Sequence, residues 1–450
     1  MSDEGAWEVE LARVEAELAQ RLPESQVRPG LDRMRALVDL LGNPQATYPV
    51  VHLTGTNGKT STARMVDSLL RTFGLRTGRI TSPHLASPTE RIALDGEPIS
   101  AERFVRTYDD LAPYLKLVDA QSPIPLVYFE VLTAMGYAAF ADAPVDVAVV
   151  EVGLGGSWDS TNVADGQVAV ITPIGLDHQR YLGDTVAQIA TEKAGIIKPG
   201  ATAILAAQPN EAAPVLLARA ADVGASVARE GLEFGVLDRQ VAVGGQQLVL
   251  QGLAGEYGEV FLPMFGAHQA TNAVCALAAV EAFFGKGAAT GPLDGDLVRA
   301  AFAQVSSPGR LEPVRSAPTV LIDAAHNPHG MAAAVAAVGE AFSFRRLVGV
   351  VGVLADKDVE GMLTVLEPVL DEIVVTQNSS SRRLSADDLA ALAVQVFGPD
   401  RVTVETRLDD ALETAVRLAE GDGEALAGSG VLVTGSVITA GEARTLLGAR

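Results

Sequence analysis

The stretch TGTNGKTST, Thr54–Thr62, decides the fold of this chain. It follows the apolar, β-branched segment Pro49–Leu53 and opens an amphipathic run from Lys59 to Phe73. A strand, a glycine-rich turn and a helix in this order form a phosphate-binding loop, because the turn directs backbone N–H groups onto phosphate oxygens and the helix N-terminus favours an anion. The pattern predicts a nucleotide-binding loop made of Gly55, Thr56, Asn57, Gly58, Lys59 and Thr60.

This loop is shorter than the common pattern GxxxxGK[ST], because Leu53 lies five residues before Gly58 and the first glycine is Gly55. A GKT triplet alone is often an ordinary turn, but the strand before it and the helix after it argue against that alternative. Lys59 would place a positive charge on the β- and γ-phosphates, and the Thr60 hydroxyl would bind Mg²⁺. We therefore expect the chain to bind ATP.

Length and composition exclude several classes of protein. At 450 residues the chain is too long for one hydrophobic core, which predicts two or three domains. A net charge of −22 argues against nucleic acid or an anionic membrane as the main partner. Cys275 is the single cysteine, so no intrachain disulfide can form. The sequence shows no signal core and no membrane-spanning apolar stretch, so we expect a cytoplasmic enzyme.

Apolar periodicity predicts an α/β protein with two domains. Amphipathic helices near residues 7–20 and 30–41 precede an alternation of strands and helices, which favours a mostly parallel sheet covered on both faces. Residues 226–262 switch to short alternating strands, for which we expect antiparallel hairpins. Ser306–Gly309 is typical of a linker, and a second alternation follows it. The predicted domains are residues 1–305, with the phosphate loop, and residues 306–450, with a Rossmann-like sheet.

Polar side chains follow the predicted strands of the first domain. Glu151 ends one strand directly before a glycine cluster, a position that suits a Mg²⁺ ligand, although a helix cap or an ion pair is the plainer alternative. His178 follows another strand, and Ser82 and His84 follow a third. A single histidine is more often a structural hydrogen-bonding group. Because the carboxyl ends of parallel strands meet at one edge of a sheet, the convergence favours a ligand site.

Two further positions suggest chemistry. Only six of the 34 basic residues are lysine, so a retained lysine is mild evidence for a task that a guanidinium cannot perform, such as losing a proton. Lys193, in the segment TEKAG, is a candidate, with a solvated surface lysine as the alternative. In the second domain Asp323, His326 and Asn327 follow a strand and start a helix, which suits an anionic ligand. Asn327 can also cap that helix, and both roles can hold together.

These motifs occur together in one known family. The chain resembles the folylpolyglutamate synthases, including the bacterial bifunctional dihydrofolate synthases, within the Mur ligase superfamily. The resemblance runs from Gly30 to Gly435 and rests on GLDRM, LLGNP, HLTGTNGKTST, TSPHL, YFEVLTA, EVGLGG, ITPIGLDH, TEKAGIIK, HQATNA, GR, DAAHNP and ADKD. It implies an N-terminal ATPase domain and a C-terminal Rossmann-like domain, with the active site between them.

The resemblance also implies roles for single residues. Thr60, Ser82 and Glu151 would hold one Mg²⁺, and His178 with Glu151 would help to hold a second. Lys193 matches a lysine that CO₂ converts to a carbamate, which would add an anionic oxygen ligand for metal. The implied nucleotide contacts outside the loop are Asn272 on the adenine side, Arg310 and Asp323.

Catalytic and substrate-binding groups are implied in the same way. The resemblance assigns catalysis to Lys59, Lys193, His178 and His326. It assigns substrate binding to Ser82, His84, Phe129, Gly155, Gly156, Asp159, His326 and Ser436. Ser157 stands where bacterial members often carry an arginine, which leaves the details of substrate binding open.

The implied reaction is ATP-driven amide-bond formation. A substrate carboxylate would attack the γ-phosphate to give an acyl phosphate and ADP, and the amine of L-glutamate would then attack the acyl carbon. The acceptor would be a reduced folate, dihydropteroate or both, and we expect a monomer. Two alternatives remain. A cell-wall Mur ligase would need a further domain before the loop, where only 54 residues precede Gly55. A nucleotide-switched regulatory protein would bind ATP without glutamate-dependent release of ADP.

Overall fold

The structure is a computed structural model that describes residues 3–24, 26–421 and 428–449. Strands and helices alternate along these segments, and the described strands form three sheets. Two of the sheets are mostly parallel and one is antiparallel. This confirms the α/β class expected from the sequence.

The largest sheet has eight strands. Its strands are β1 (Val50–Thr54), β2 (Thr77–Ile80), β3 (Ile92–Leu94), β4 (Glu97–Pro98), β5 (Val147–Glu151), β6 (Val168–Ile171), β7 (Thr202–Leu205) and β8 (Ser226–Arg229). They lie in the order β4-β3-β2-β5-β1-β6-β7-β8, in which β3 pairs antiparallel with both β2 and β4 and the other described pairs are parallel. The prediction of antiparallel hairpins over residues 226–262 is wrong for β8, because β8 pairs parallel with β7 and continues the large sheet.

Helices cover both faces of this sheet, because successive strand residues point to opposite sides. Val51 and Leu53 of β1 belong to one core cluster and Val50 belongs to another. The helices of this part of the chain are α1 (Asp3–Ala19), α2 (Asp32–Leu40), α3 (Lys59–Thr72), α4 (Ala101–Gln121), α5 (Tyr128–Asp142), α6 (Gln179–Leu182), α7 (Val186–Lys193), α8 (Ala213–Val223), α9 (Ala267–Phe283) and α10 (Gly295–Ala303). The first cluster includes side chains of α3, α9 and α10, and the second includes side chains of α1, α2, α4 and α5.

A small antiparallel sheet follows the large one. Its strands are β9 (Gly235–Ala242), β10 (Gly245–Gln251) and β11 (Glu256–Leu262), in the order β11-β10-β9. The predicted hairpins are confirmed over these residues. Leu248, Leu250 and Val260 of this sheet pack into the same core cluster as α3 and α9.

The third sheet carries the second alternation of strands and helices. Its order is β12-β13-β17-β14-β15-β16, and only β12 is antiparallel to its neighbour. The strands are β12 (Glu312–Ser316), β13 (Thr319–Ile322), β14 (Arg346–Val351), β15 (Glu372–Val375), β16 (Val402–Val404) and β17 (Ser429–Thr434). The helices are α11 (Pro328–Ala341), α12 (Val359–Leu366), α13 (Ala386–Phe397), α14 (Leu408–Glu420) and α15 (Val437–Leu446). The sequence predicted all of these strands except β12.

The strand order explains why distant motifs meet. Strands β2, β5, β1 and β6 are consecutive neighbours in the middle of the large sheet, and they run parallel. The segments after these four strands therefore leave the same edge. Ser82, Glu151, the phosphate loop and the 175–178 segment lie at or just beyond that edge, as the sequence predicts.

Candidate active site

The backbone of the phosphate loop requires glycine at two positions. Gly55 has a φ of +148° and Gly58 a φ of +88°, a region that side chains disfavour. A Cβ at Gly55 would also collide with the Thr172 hydroxyl, and one at Gly58 with Asn272 Oδ1. The loop thus packs tightly between β6 and α9, and Asn272 lies directly against it.

Two lysines converge on one carbonyl of this loop. Lys59 Nζ donates to the Gly55 and Thr56 oxygens at 3.1 and 3.2 Å, and Lys193 Nζ donates to the Gly55 oxygen at 2.8 Å. Burial lowers the pKa of both amines, and together with the charge of Lys59 it lowers the pKa of Lys193 to about 7. Lys193 is only 4% exposed, so the alternative of a solvated surface lysine is wrong. Near neutral pH much of this amine is uncharged and nucleophilic.

A group of polar atoms lies near the start of α3 and belongs to Thr60, Glu151 and Ser82. Thr60 Oγ1 donates to the two Glu151 carboxylate oxygens at 2.9 and 3.0 Å, and the Ser82 N–H donates to Oε2 at 3.3 Å. Burial raises the pKa of Glu151, and the nearby charge of Lys59 opposes that effect. Hydroxyl and carboxylate oxygens beside a phosphate loop are the ligands that Mg²⁺ prefers, so these residues fit that ion. In the described segments no three His, Cys, Asp or Glu side chains cluster as a metal site.

His178 lies at the same edge, beside Asp177. It adopts a left-handed backbone conformation with φ +51° before α6, and its Nε2 lies 3.9 Å from Asp177 Oδ2. Burial lowers the pKa of His178 to about 4, which leaves the imidazole neutral and able to bind metal. Among the described residues no hydrogen bond joins His178 to Glu151, so their shared metal site stays a prediction.

The glycine cluster after β5 packs onto the helix that carries Lys193. Thr54 Oγ1 donates to the Gly155 oxygen at 2.8 Å, and the Ser157 N–H donates to the Glu192 oxygen at 2.9 Å. A Cβ at Gly156 would lie 2.7 Å from the Glu192 oxygen and 3.0 Å from Lys193 Cα. The absence of a side chain at Gly156 therefore allows the approach that places Lys193 under the phosphate loop.

The glycine cluster also contacts two buried or partly buried side chains, Asp159 and Phe129. Asp159 is buried, and its carboxylate accepts from the Leu154 N–H at 2.9 Å and from the Thr161 N–H at 3.0 Å. The Phe129 ring lies against Gly153, close enough that a Cβ there would clash. Both residues shape the loop, and their roles in substrate binding stay predictions.

His84 is held by an arginine and lies off the loop. Its Nδ1 accepts from Arg91 Nε at 2.8 Å, and Arg91 in turn forms an ion pair with Glu24. Burial, assisted by the Arg91 charge, lowers the pKa of His84 to about 4. The imidazole is therefore neutral, and its predicted substrate contact is untested.

The third sheet contributes Asp323, His326 and Ser436. Asp323 accepts from the Leu311 and Ala325 N–H groups at 2.9 and 2.8 Å, and burial raises its pKa against the opposing charge of Arg310. His326 Nδ1 lies 3.0 Å from the Ala324 oxygen, and burial lowers the pKa of His326 to about 4. Ser436 caps α15, where its Oγ accepts from the Ile438 N–H. These side chains hold local structure, and their ligand contacts stay predictions.

Asp177 joins the two halves of the chain, which the sequence analysis missed. Its carboxylate accepts from Lys357 Nζ and from Asn327 Nδ2, both at 3.1 Å. Burial would raise the pKa of Asp177, but the charges of His178, Lys357 and His326 outweigh it and hold that pKa well below its usual range. The sequence did contain a signal for these two residues, because Lys357 is one of only six lysines and Asp177 lies directly before His178.

The loop itself also contacts the second half. Asn57 Nδ2 lies 2.8 Å from His329 Nδ1, and Asn327 Nδ2 donates to Asn57 Oδ1 at 3.3 Å. Asn327 Oδ1 accepts from the Gly330 N–H, so this side chain also caps α11 as the sequence suggested. The side-chain amide of Asn57 therefore links the nucleotide loop to the start of α11.

The chain matches known proteins over nearly its whole length. Residues 131–280 match the Mur ligase middle domain and residues 309–437 match the Mur ligase glutamate ligase domain. The chain is 55% identical over 458 residues to the dihydrofolate synthase/folylpolyglutamate synthase of Mycobacterium tuberculosis, with 97% of this chain and 94% of that protein covered. This chain belongs to the family of dihydrofolate and folylpolyglutamate synthases. The resemblance found in the sequence is confirmed.

Other relatives and solved structures agree with this assignment. The folylpolyglutamate synthase of Lacticaseibacillus casei is 33% identical over 426 residues, covering 93% of this chain and 94% of that protein. The structure of Mycobacterium tuberculosis folylpolyglutamate synthase complexed with ADP and AMPPCP aligns with a TM-score of 0.93 at 54% identity over 99% of both chains. E. coli FolC in complex with DHPP and ADP aligns with a TM-score of 0.84 at 28% identity over 98% of both chains. No helix in the described segments is long and apolar enough to cross a bilayer.

Proposed function

We propose that this chain is an ATP-dependent ligase that joins L-glutamate to a folate, and also to dihydropteroate, through an acyl phosphate. The proposal is supported by the loop that carries Lys59 and Thr60, because Thr60 bonds to Glu151 and Asn57 of the same loop contacts His329 of α11 beside the third sheet. Family membership supports the choice of substrates, since the relatives are named for both activities and one was solved with ADP and AMPPCP.

The reaction would proceed in two steps. The pterin substrate's carboxylate attacks the γ-phosphorus of ATP, the bond to the bridging oxygen breaks, and ADP leaves. Because an anion attacks an anion, Lys59 and the loop N–H groups must neutralise charge. The amine of L-glutamate then attacks the acyl carbon, loses a proton and expels phosphate. The Asp177–Lys357 contact joins the two halves of the chain and would help to keep water from the acyl phosphate.

Thr60, Ser82 and Glu151 would hold one Mg²⁺, and Glu151 with His178 a second. Bound Mg²⁺ would offset the negative charge that gathers on the transferred phosphoryl group. The oxygen atoms at Thr60 and Glu151 already face each other at 2.9 Å, which is a suitable spacing for two ligands of one ion. Asn272, Arg310 and Asp323 would complete the nucleotide site.

We also propose that Lys193 is carbamylated. Its neutral amine would attack CO₂, form an N–C bond and release one proton, which leaves an anionic carbamate. Support comes from its burial, its lowered pKa and the neighbouring Lys59 charge, which would stabilise an anion in place of an ammonium.

The chain would fold as two domains that meet between residues 305 and 306. It would act as a monomer and work in the cytoplasm.

The test is the formation of ADP by purified protein. With ATP, Mg²⁺ and dihydropteroate or a reduced folate, ADP formation should depend on L-glutamate. The two pterin substrates, tested separately, show whether one activity or both are present. A protein that binds ATP but releases ADP at the same rate with and without glutamate would instead be a nucleotide-switched regulatory protein.

A further inference from the structure

Two arginines line one pocket beside the nucleotide loop. The pocket lies between the first two turns of α3 and the second half of the chain, and its lining includes Thr60, Arg64, Arg310 and Val437. In the described segments neither guanidinium forms a hydrogen bond or an ion pair. Arg310 belongs to the predicted nucleotide contacts, whereas Arg64 has no role in the reaction as derived so far.

A partly buried guanidinium that no carboxylate contacts directly indicates a ligand. Burial, with a contribution from the Arg79 charge, lowers the pKa of Arg64 to about 10, so the group stays charged at neutral pH. A positive charge held out of water without a partner raises the free energy of the folded protein. An anion that accepts hydrogen bonds from the guanidinium N–H groups would offset that desolvation cost. Its neighbour Arg310 adds a second positive charge to the same pocket.

The position of Arg64 separates this site from the ATP phosphates. Phosphates bind at the helix N-terminus, where α3 begins at Lys59. Arg64 lies four residues after Thr60, about 6 Å further along the helix axis and on the same face. Arg64 therefore lies about one turn beyond the helix N-terminus, in a pocket whose lining also includes Arg310 and Ala324.

The remaining lining favours an amino acid. Glu90 contributes a carboxylate, which is fixed by the Leu85 and Ser87 N–H groups at 2.9 and 2.8 Å. Pro83, Leu85 and Val437 contribute apolar surface. L-Glutamate has the complementary parts, with two carboxylates, one amine and two methylene groups. No aromatic side chain lines this pocket to stack on a pteridine ring.

We propose that Arg64 binds a carboxylate of the incoming L-glutamate and thereby determines the affinity of the enzyme for its amino-acid substrate. This proposal rests on the proposed ligase function. Arg64 acts in substrate binding, while Lys59 and Thr60 on the same helix act on the phosphates.

The test is a comparison of Michaelis constants. Arg64→Gln should raise the KM for L-glutamate by about 10- to 100-fold, the loss expected for one charge-assisted contact, with the KM values for ATP and the pterin substrate unchanged. Arg64→Lys keeps the charge but loses the planar fork, so its increase should be smaller. Arg71→Gln is the matched control, because Arg71 lies on the same helix, pairs with Asp67 and does not line the pocket.

The outcomes separate this proposal from the function on which it rests. Wild-type protein without glutamate-dependent ADP formation contradicts the ligase function. With wild-type activity present, an increase confined to the KM for the pterin substrate, or a fall in kcat with all KM values unchanged, overturns the role of Arg64. If Arg64→Gln does not fold by circular dichroism, Arg64→Lys decides: an increased KM for glutamate alone supports the proposal and unchanged KM values overturn it.

Discussion

Asp177 and Lys357 form an ion pair across 180 residues of sequence, with Lys357 Nζ 3.1 Å from Asp177 Oδ1. The two side chains are only 12% and 9% exposed. Asp177 follows β6 of the large sheet and Lys357 precedes α12 of the third sheet, so the pair holds the two halves against each other. Asn327 joins the same carboxylate to Asn57 of the phosphate loop. Nucleotide site and second half are therefore connected by direct contacts.

Breaking this pair should weaken closure of the cleft. We expect Asp177→Asn to lower kcat/KM and to reduce the unfolding free energy by about 3 kcal/mol, because the Lys357 charge would stay buried without its partner. The pKa of Asp177 is depressed, so its contribution to stability is complete above its unfolded pKa of about 4 and is lost as the pH falls through the lower folded pKa. Chemical denaturation at pH 7 measures the effect. Asp184→Asn, an exposed acid of the same segment, is the control, and equal effects of the two variants would contradict the account.

Lys59→Ala should abolish ligation and leave the fold intact. The Lys59 ammonium group lies on the loop, where it donates to the Gly55 and Thr56 carbonyls, and removal of one charged contact to a transferred phosphoryl group costs about 10²–10³ in rate. Turnover and the thermal midpoint should be measured together, with Lys116→Ala on the exposed face of α4 as control. Near-normal turnover would mean that this loop is not the catalytic ATP site.

Lys193→Ala should be inactive and partly restored by short carboxylic acids. Such an acid can supply the oxygen ligand that the carbamate would provide, and the side-chain volume removed leaves room for it. Lys193→Arg should stay inactive under the same conditions, because a guanidinium does not react with CO₂. Restoration is measured as ligation rate against acid concentration. Equal restoration of both variants, or of neither, would count against the carbamate.

Gly156→Ala should reduce activity through the position of Lys193. The added Cβ would lie 2.7 and 2.9 Å from the Glu192 and Lys193 oxygens, so α7 must shift away from the loop. We expect a fall of about 10-fold or more in kcat, because small displacements of catalytic groups have large effects on rate. Gly339→Ala on α11 is the matched control, since a Cβ there meets no atom within 4 Å. Unchanged kcat in both variants would show that α7 tolerates the displacement.

The sequence predicts the parts of the site that depend on local pattern. The phosphate loop, Glu151 and the strand ends follow from motifs and from the rule that parallel strands share an edge, and the structure places Thr60 and Glu151 together as expected. The direction of strand β8 was predicted wrongly, because its polar and apolar alternation is the same in an edge strand of either direction.

Contacts between the halves could not be predicted in this way. The contact between Asp177 and Lys357 forms only after the large sheet and the third sheet pack together. The same packing completes the pocket in which we propose a role for Arg64. Ser436 shows the converse, because a serine before a helix is an ordinary cap as well as a candidate ligand, and the structure shows the cap.

An enzyme of this kind forms one amide bond to L-glutamate for each ATP that it consumes. The most direct measurement is mass spectrometry of the pterin product after incubation with ATP, Mg²⁺ and isotopically labelled L-glutamate, with ADP counted in the same sample. We predict a product heavier by one labelled glutamyl residue for each ADP formed, from dihydropteroate and from a reduced folate, and no product with Lys59→Ala. ADP formation without any labelled pterin product would contradict the account.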